Sequence, residues 1–147
     1  MSYITNADIE ERLGTAAYIQ LTDDDGDGTA DIGVVDEARL GADGEVNSYL
    51  ARRFAVPIDL TAHPEVADIL ATITLDLAEY RLRVRRPPVP AEAAAKRDAA
   101  IAWLARVAAG TIEVPSLGTI APNPAAGPTV HTTGEPRLLT RDELADH

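Results

Sequence analysis

Three prolines within four positions, Pro87-Pro88-Val89-Pro90, force the chain to end one helix and begin another, because each ring removes a backbone donor and drives the preceding residue out of the α region. Ahead of that break, Val66, Ile69, Leu70, Ile73, Leu77, Tyr80 and Val84 recur at three- and four-residue steps. This spacing predicts a long amphipathic helix, opened by His63-Pro64-Glu65 with proline at the first helical position, where no donor is lost. Beyond the break, residues from about Ala91 to Ala109 predict a second helix. Ile101, Leu104 and Val107 form its inner face, Trp103 is a packing anchor, and Gly110 closes it in a left-handed conformation. Two apolar-striped helices separated by a stiff break must bury their stripes on each other or on a third partner.

That partner lies upstream. From Asp31 to Phe54 the positions Val35, Ala38, Ala42, Val46, Tyr49, Leu50 and Phe54 follow the same period, although Gly41 and Gly44 each cost a helix about 1 kcal/mol relative to Ala. Ala55-Val56-Pro57 ends the run. A shorter helix is predicted from a Thr5 cap, with Asp8 as a short capping-box acid, to Leu13, stopping at Gly14. Residues 15–22, TAAYIQLT, read as a lead into the loop that follows. From Thr111 to His147 the chain is rich in Pro, Gly and Thr and shows no helical period until the last turn, TRDELADH. The expected fold is all-α: a small bundle of about four helices over residues 1–110, followed by an extended Pro/Gly-rich C-terminal arm over 111–147. Such an arm buries little of itself and is expected either to be disordered or to dock on another subunit.

Composition removes several classes of function. The 147 residues contain no cysteine, which excludes disulfides, thiolate nucleophiles and Cys-ligated zinc. The formal net charge of -11 repels phosphate backbones and argues against sequence-independent DNA binding. No apolar run is long enough to span a bilayer, and MSYITNADIEE lacks the basic and apolar regions of a signal peptide, so the chain is expected in the cytosol with no membrane partner.

The most distinctive chemistry is the segment Asp23-x-Asp25-x-Asp27-Gly28-x-x-Asp31. Alternating carboxylates before a glycine turn can wrap hard oxygens around Ca2+. Asp23, Asp25, Asp27 and Asp31 are the candidate ligands, and the opening matches an EF-hand loop. Counted from Asp23, the twelfth position is Val34 where the bidentate Glu belongs, so Asp31 or Asp36 must close the site and the affinity is expected to be weak, about 10⁻⁴–10⁻³ M. The competing reading is an acidic, glycine-turned loop in which Asp31 caps the next helix.

Arg81, Arg83, Arg85 and Arg86 gather at the end of the central helix, where cations complement the helix dipole. They are either a solvated helix end with surface ion pairs or a contact patch for an acidic neighbour, such as the Asp-rich loop of an adjacent copy. His63, His131 and His147 have no second ligand at metal-site spacing. No nucleophile elbow, phosphate-cradling loop or Glu/His pairing is present, so no enzyme activity and no required cofactor are expected.

One resemblance sharpens these expectations. Tyr3-Ile4-Thr5 through Asp8, Arg12-Leu13-Gly14, Leu21-Thr22-Asp23 with the DGDG loop, Val46-Asn47-Ser48-Tyr49-Leu50, and Arg52-Arg53-Phe54-Ala55-Val56-Pro57 occur in this order. Asp76-Leu77-Ala78-Glu79-Tyr80-Arg81-Leu82 and Arg85-Arg86-Pro87-Pro88 continue the series. Together they resemble the phage Mu-like head-completion family, head-tail connector or adaptor proteins formerly catalogued as a domain of unknown function, over roughly residues 3–110. The resemblance implies a structural subunit of a tailed phage or phage-like particle. Its copies would form a homo-oligomeric ring under the portal protein, contact a tail or stopper protein, and let DNA pass without specific binding. It implies assembly in the bacterial host cytoplasm and final residence in the virion at the head-tail junction. Pro136-Arg137-Leu138-Leu139-Thr140-Arg141-Asp142 resembles the family's terminal segment, which makes Arg137, Leu138 and Leu139 candidate contact residues.

Overall fold

The computed structural model of the chain describes residues 2–114 and 117–119, and among these the regular structure is entirely helical. Five α-helices follow in order: α1 Asn6–Leu13, α2 Thr15–Thr22, α3 Ile32–Leu50, α4 Ala67–Arg85 and α5 Ala91–Ala108, with a 3₁₀ turn at Pro64–Val66 leading into α4. Arg137, Leu138, Leu139 and the terminal turn TRDELADH lie outside the described residues.

The local signals act as physical chemistry requires. The Thr5 hydroxyl accepts from the Asp8 amide at 3.3 Å while the Asp8 carboxylate accepts from the Thr5 amide at 2.6 Å, a reciprocal capping box that opens α1. At the end of α5 the Gly110 amide donates to the Val107 carbonyl (3.0 Å) and the Thr111 amide to the Arg106 carbonyl (2.9 Å), with Gly110 at φ 78°. This is a Schellman closure, which needs a residue free to turn left-handed. The proline break between α4 and α5 falls at residues 86–90, and its Pro87–Pro88 peptide bond is cis.

One helix was not anticipated. Residues 15–22 form α2 rather than a lead into the loop, so the bundle has five α-helices where about four were expected. Gly14, at φ 77°, ends α1 and begins α2, and no side chain caps the new start. The eight residues include β-branched Thr15, Ile19 and Thr22, and Tyr18, Leu21 and Thr22 are buried against the bundle. Tertiary burial holds α2, since an isolated helix of this length is marginal in water.

Helix α4 is the centre. It packs on α3 and on α5, α3 also touches α5, and the α1–α2 pair lies against α3 and α4. The continuous core includes Ile9, Val35, Val46, Leu50, Leu70, Leu77, Leu82, Leu104 and Val107. Trp103 and Ile101 pack at its edge, as do Ile112, Val114 and Leu117 from the start of the arm. The expected stripe on α4 runs wider than its cover: Ile69 is 39% and Val84 48% exposed. Gly41 leaves room for the Arg81 guanidinium, because a Cβ there would lie 2.9 Å from Nη1 of Arg81, which crosses α3 at this point.

Candidate functional site

The loop between α2 and α3 folds around its own carboxylates. Asp23 accepts from the Gly26 amide (2.6 Å) and the Gly28 amide (2.9 Å), Asp25 from Asp27 (3.1 Å), and Asp27 from both the amide (2.8 Å) and hydroxyl (2.6 Å) of Thr29. Gly26 and Gly28 take φ of 78° and 84°, the turns foreseen from their positions. Asp31 occupies the N-cap position of α3, but its carboxylate makes no cap bond and accepts from the Asp24 amide across the loop at 2.8 Å.

Carboxylate oxygens of Asp23, Asp25 and Asp27 all lie within 4.8 Å of one another; Asp31 does not belong to this group. Asp36 is engaged elsewhere, accepting from Asn6 (3.0 Å) and Arg39 (3.0 Å), which hold its carboxyl below the usual range. The hydrogen bonds from Thr29, hydroxyl first and amide second, lower Asp27 in the same way.

The arginines at the end of α4 divide among three destinations, because residues two apart on a helix point nearly to opposite sides. Arg81 reaches Glu45 on α3 at 2.9 Å. Arg83 turns back one helical turn to the buried Glu79 at 2.9 Å. Arg85 and Arg86 both close on the acidic loop: Arg85 donates to Asp24 (2.6 Å) and to the Leu21 carbonyl (3.2 Å), and Arg86 to Asp24 (3.1 Å) and to the Asp23 carbonyl (2.5 Å). The hydrogen bond from Arg85 is the largest influence lowering the Asp24 carboxyl. Pairing of this basic end with the Asp-rich loop, considered above between copies, is thus made within one chain.

Two further polar assemblies escaped the sequence reading. Asp43, 6% exposed on the inner side of α3, accepts from the Ser2 hydroxyl and the Tyr3 amide (3.1 Å), while Tyr3 Oη donates to Asn47 (2.5 Å) and accepts from the Ile58 amide (3.0 Å). The start of the chain is thereby fixed to α3 and to the turn after it. Arg12 of α1 pairs with Asp76 and approaches Glu79 at 3.7 Å, joining α1 to α4. The available signal was the i, i+4 pair Asp43 and Asn47 running beside the apolar positions 42 and 46, an arrangement that places polar atoms at the edge of a core.

The described residues thus define a small all-α bundle with an acidic loop latched onto the end of its central helix. The family described as Bacteriophage Mu, Gp36 matches residues 3–132, and the chain belongs to it. The match extends past the stretch on which the resemblance rested and takes in the start of the arm. No curated protein matches the chain. Among the described residues, no helix is long and apolar enough to cross a membrane.

Proposed function

We propose that the chain is a structural, non-catalytic subunit of the head-tail connector of a tailed phage or phage-like particle. Its copies form a homo-oligomeric ring between the portal protein and a tail or stopper protein, and DNA passes through the ring. Assembly takes place in the host cytoplasm, and the finished subunit resides in the virion. Membership in a bacteriophage Mu family over residues 3–132 carries this reading. Charge supports it: with a formal charge of -11, and with Arg81, Arg83, Arg85 and Arg86 each facing a carboxylate of the same chain, the protein suits a channel wall that lets DNA slide rather than a surface that grips it.

Cryo-electron microscopy of particles from the parent phage or phage-like element tests the proposal. The expected result is density for this chain in a ring between portal and tail. Purified, infective or DNA-filled particles that lack the chain would refute a connector role.

The gathering of Asp23, Asp25 and Asp27 within 4.8 Å supports a second reading, in which weak Ca2+ binding orders residues 23–36 and shapes a partner surface. It is compatible with the first, and a Ca2+-dependent rise in Tm that Asp25→Ala and Asp27→Ala remove would support it.

A further inference from the structure

Every lysine and arginine among the described residues lies within ion-pair distance of a carboxylate of the same chain, except Arg52, Arg53 and Arg106. These three share one end of the bundle. Arg52 and Arg53 follow the last residue of α3, and Arg106 stands in the last turn of α5. Arg53 joins the two helix ends: its guanidinium lies over the Phe54 ring, 5.6 Å from the centroid, and donates to the Val107 carbonyl at 3.4 Å. Those contacts hold the cation in place and leave its charge without an anion. Arg52 and Arg106 are exposed and make no hydrogen bond or ion pair with the described residues.

The opposite imbalance sits at the other end of α3. The acidic loop closes at Asp31, the N-cap position of that helix. Asp24 takes both Arg85 and Arg86. The carboxylates of Asp23, Asp25, Asp27 and Asp31 accept only from backbone amides and the Thr29 hydroxyl. Uncompensated cations and uncompensated carboxylates thus stand apart by the length of α3, whose 19 residues span about 28 Å. No arginine side chain bridges such a gap, so the two groups can satisfy each other only between copies.

A ring built from identical chains needs a heterologous contact, in which one face of each copy meets a different face of the next. Two groups of opposite sign at opposite ends of one helix supply such a pair of faces. We propose that neighbouring copies join head to tail through them, with Arg52, Arg53 and Arg106 of one copy against Asp23, Asp25, Asp27 and Asp31 of the next. This rests on the ring reading given above and adds to it the residues that make the contact. Charged groups of this kind steer and orient an encounter more than they add affinity, and salt screens them. A copy turned end for end would set arginine against arginine or aspartate against aspartate, so the same groups fix direction around the ring.

The test supplies full-length variants to the parent phage or phage-like element in place of the native chain. Arg52→Glu/Arg106→Glu sets acid against acid, and Asp25→Arg/Asp27→Arg sets base against base. Each double variant should keep its helical circular dichroism and lower the yield of DNA-filled, tailed particles by about tenfold or more. The quadruple variant carrying both reversals restores opposite signs across the contact and should recover the yield. A loss of yield caused by misfolding would not be recovered in this way. Unchanged yield in both double variants, or no recovery in the quadruple variant, would overturn the pairing while leaving the connector reading in place. Absence of the native chain from purified particles would instead remove the ring, and the pairing with it.

Discussion

Arg85 and Asp24 stand 61 residues apart in sequence, yet Nη2 of one lies 2.6 Å from the carboxylate of the other. With Arg86 on the second oxygen at 3.1 Å, the pair ties the acidic loop to the end of α4. Both partners are more than a third exposed, so the latch orders the loop rather than stabilising the bundle. Asp24→Ala is therefore expected to leave the fold intact and to speed amide hydrogen exchange at Gly26 and Gly28. High salt should act in the same direction by screening the pair. Unchanged loop exchange in the variant would show that the loop's own carboxylate turns suffice to hold it.

Calcium addresses the same loop differently. If Asp23, Asp25 and Asp27 coordinate the ion with a dissociation constant of about 1 mM, 10 mM Ca2+ stabilises the folded chain by about 1.4 kcal/mol. Differential scanning calorimetry should show a rise in Tm that Asp25→Ala and Asp27→Ala both remove. A Tm indifferent to Ca2+ in the parent chain eliminates this reading and leaves the acidic latch as the purpose of the loop.

The response to acid follows from the carboxylates. Asp24, Asp27, Asp36, Asp59 and Glu92 are lowered by their hydrogen-bond partners, so the folded state binds fewer protons than the unfolded state near their ordinary values of about 4. Their contribution is complete above about pH 4–5 and is lost as pH falls through the depressed folded values. Asp76 opposes them: burial raises it, so its ionisation subtracts stability as pH rises past about 4. Because the lowered groups are all solvent-exposed, thermal unfolding should change little between neutral pH and about 5 and then decline modestly below about 4. Stability that increased on acidification below pH 4 would contradict the assigned partners.

Tyr3→Phe removes one oxygen that serves two groups, the Asn47 side chain and the buried Ile58 amide. A buried donor left unpaired costs about 1–3 kcal/mol, and that loss is expected in urea unfolding with an unchanged m value. A difference within error would mean that water replaces the hydroxyl and that the start of the chain is not fixed as described.

The two mid-helix glycines of α3 make a matched pair. A Cβ at Gly44 meets nothing within 4 Å, so Gly44→Ala should stabilise by about 0.5–1 kcal/mol through helix propensity. At Gly41 the Cβ falls 2.9 Å from Nη1 of Arg81, and the guanidinium must swing aside and loosen its contact with Glu45. The gain from Gly41→Ala should accordingly be the smaller of the two in chemical denaturation. The reverse order would contradict the close crossing of Arg81 over α3.

Much of this architecture was written locally. The capping box at Thr5, the left-handed turn at Gly110, the proline break and the period of α3, α4 and α5 each depend on neighbours within a few residues, and fold class, the Asp-loop turns and the family pattern could be read from them. What the sequence could not specify were relationships whose free energy comes from distant partners. Residues 15–22 become helical only because Tyr18 and Leu21 are buried by the rest of the bundle. The run Arg81, Arg83, Arg85 and Arg86 looks like one basic patch in one dimension. Helical geometry points its members in different directions, and the packing of α3 and the acidic loop against α4 determines which carboxylate each one meets.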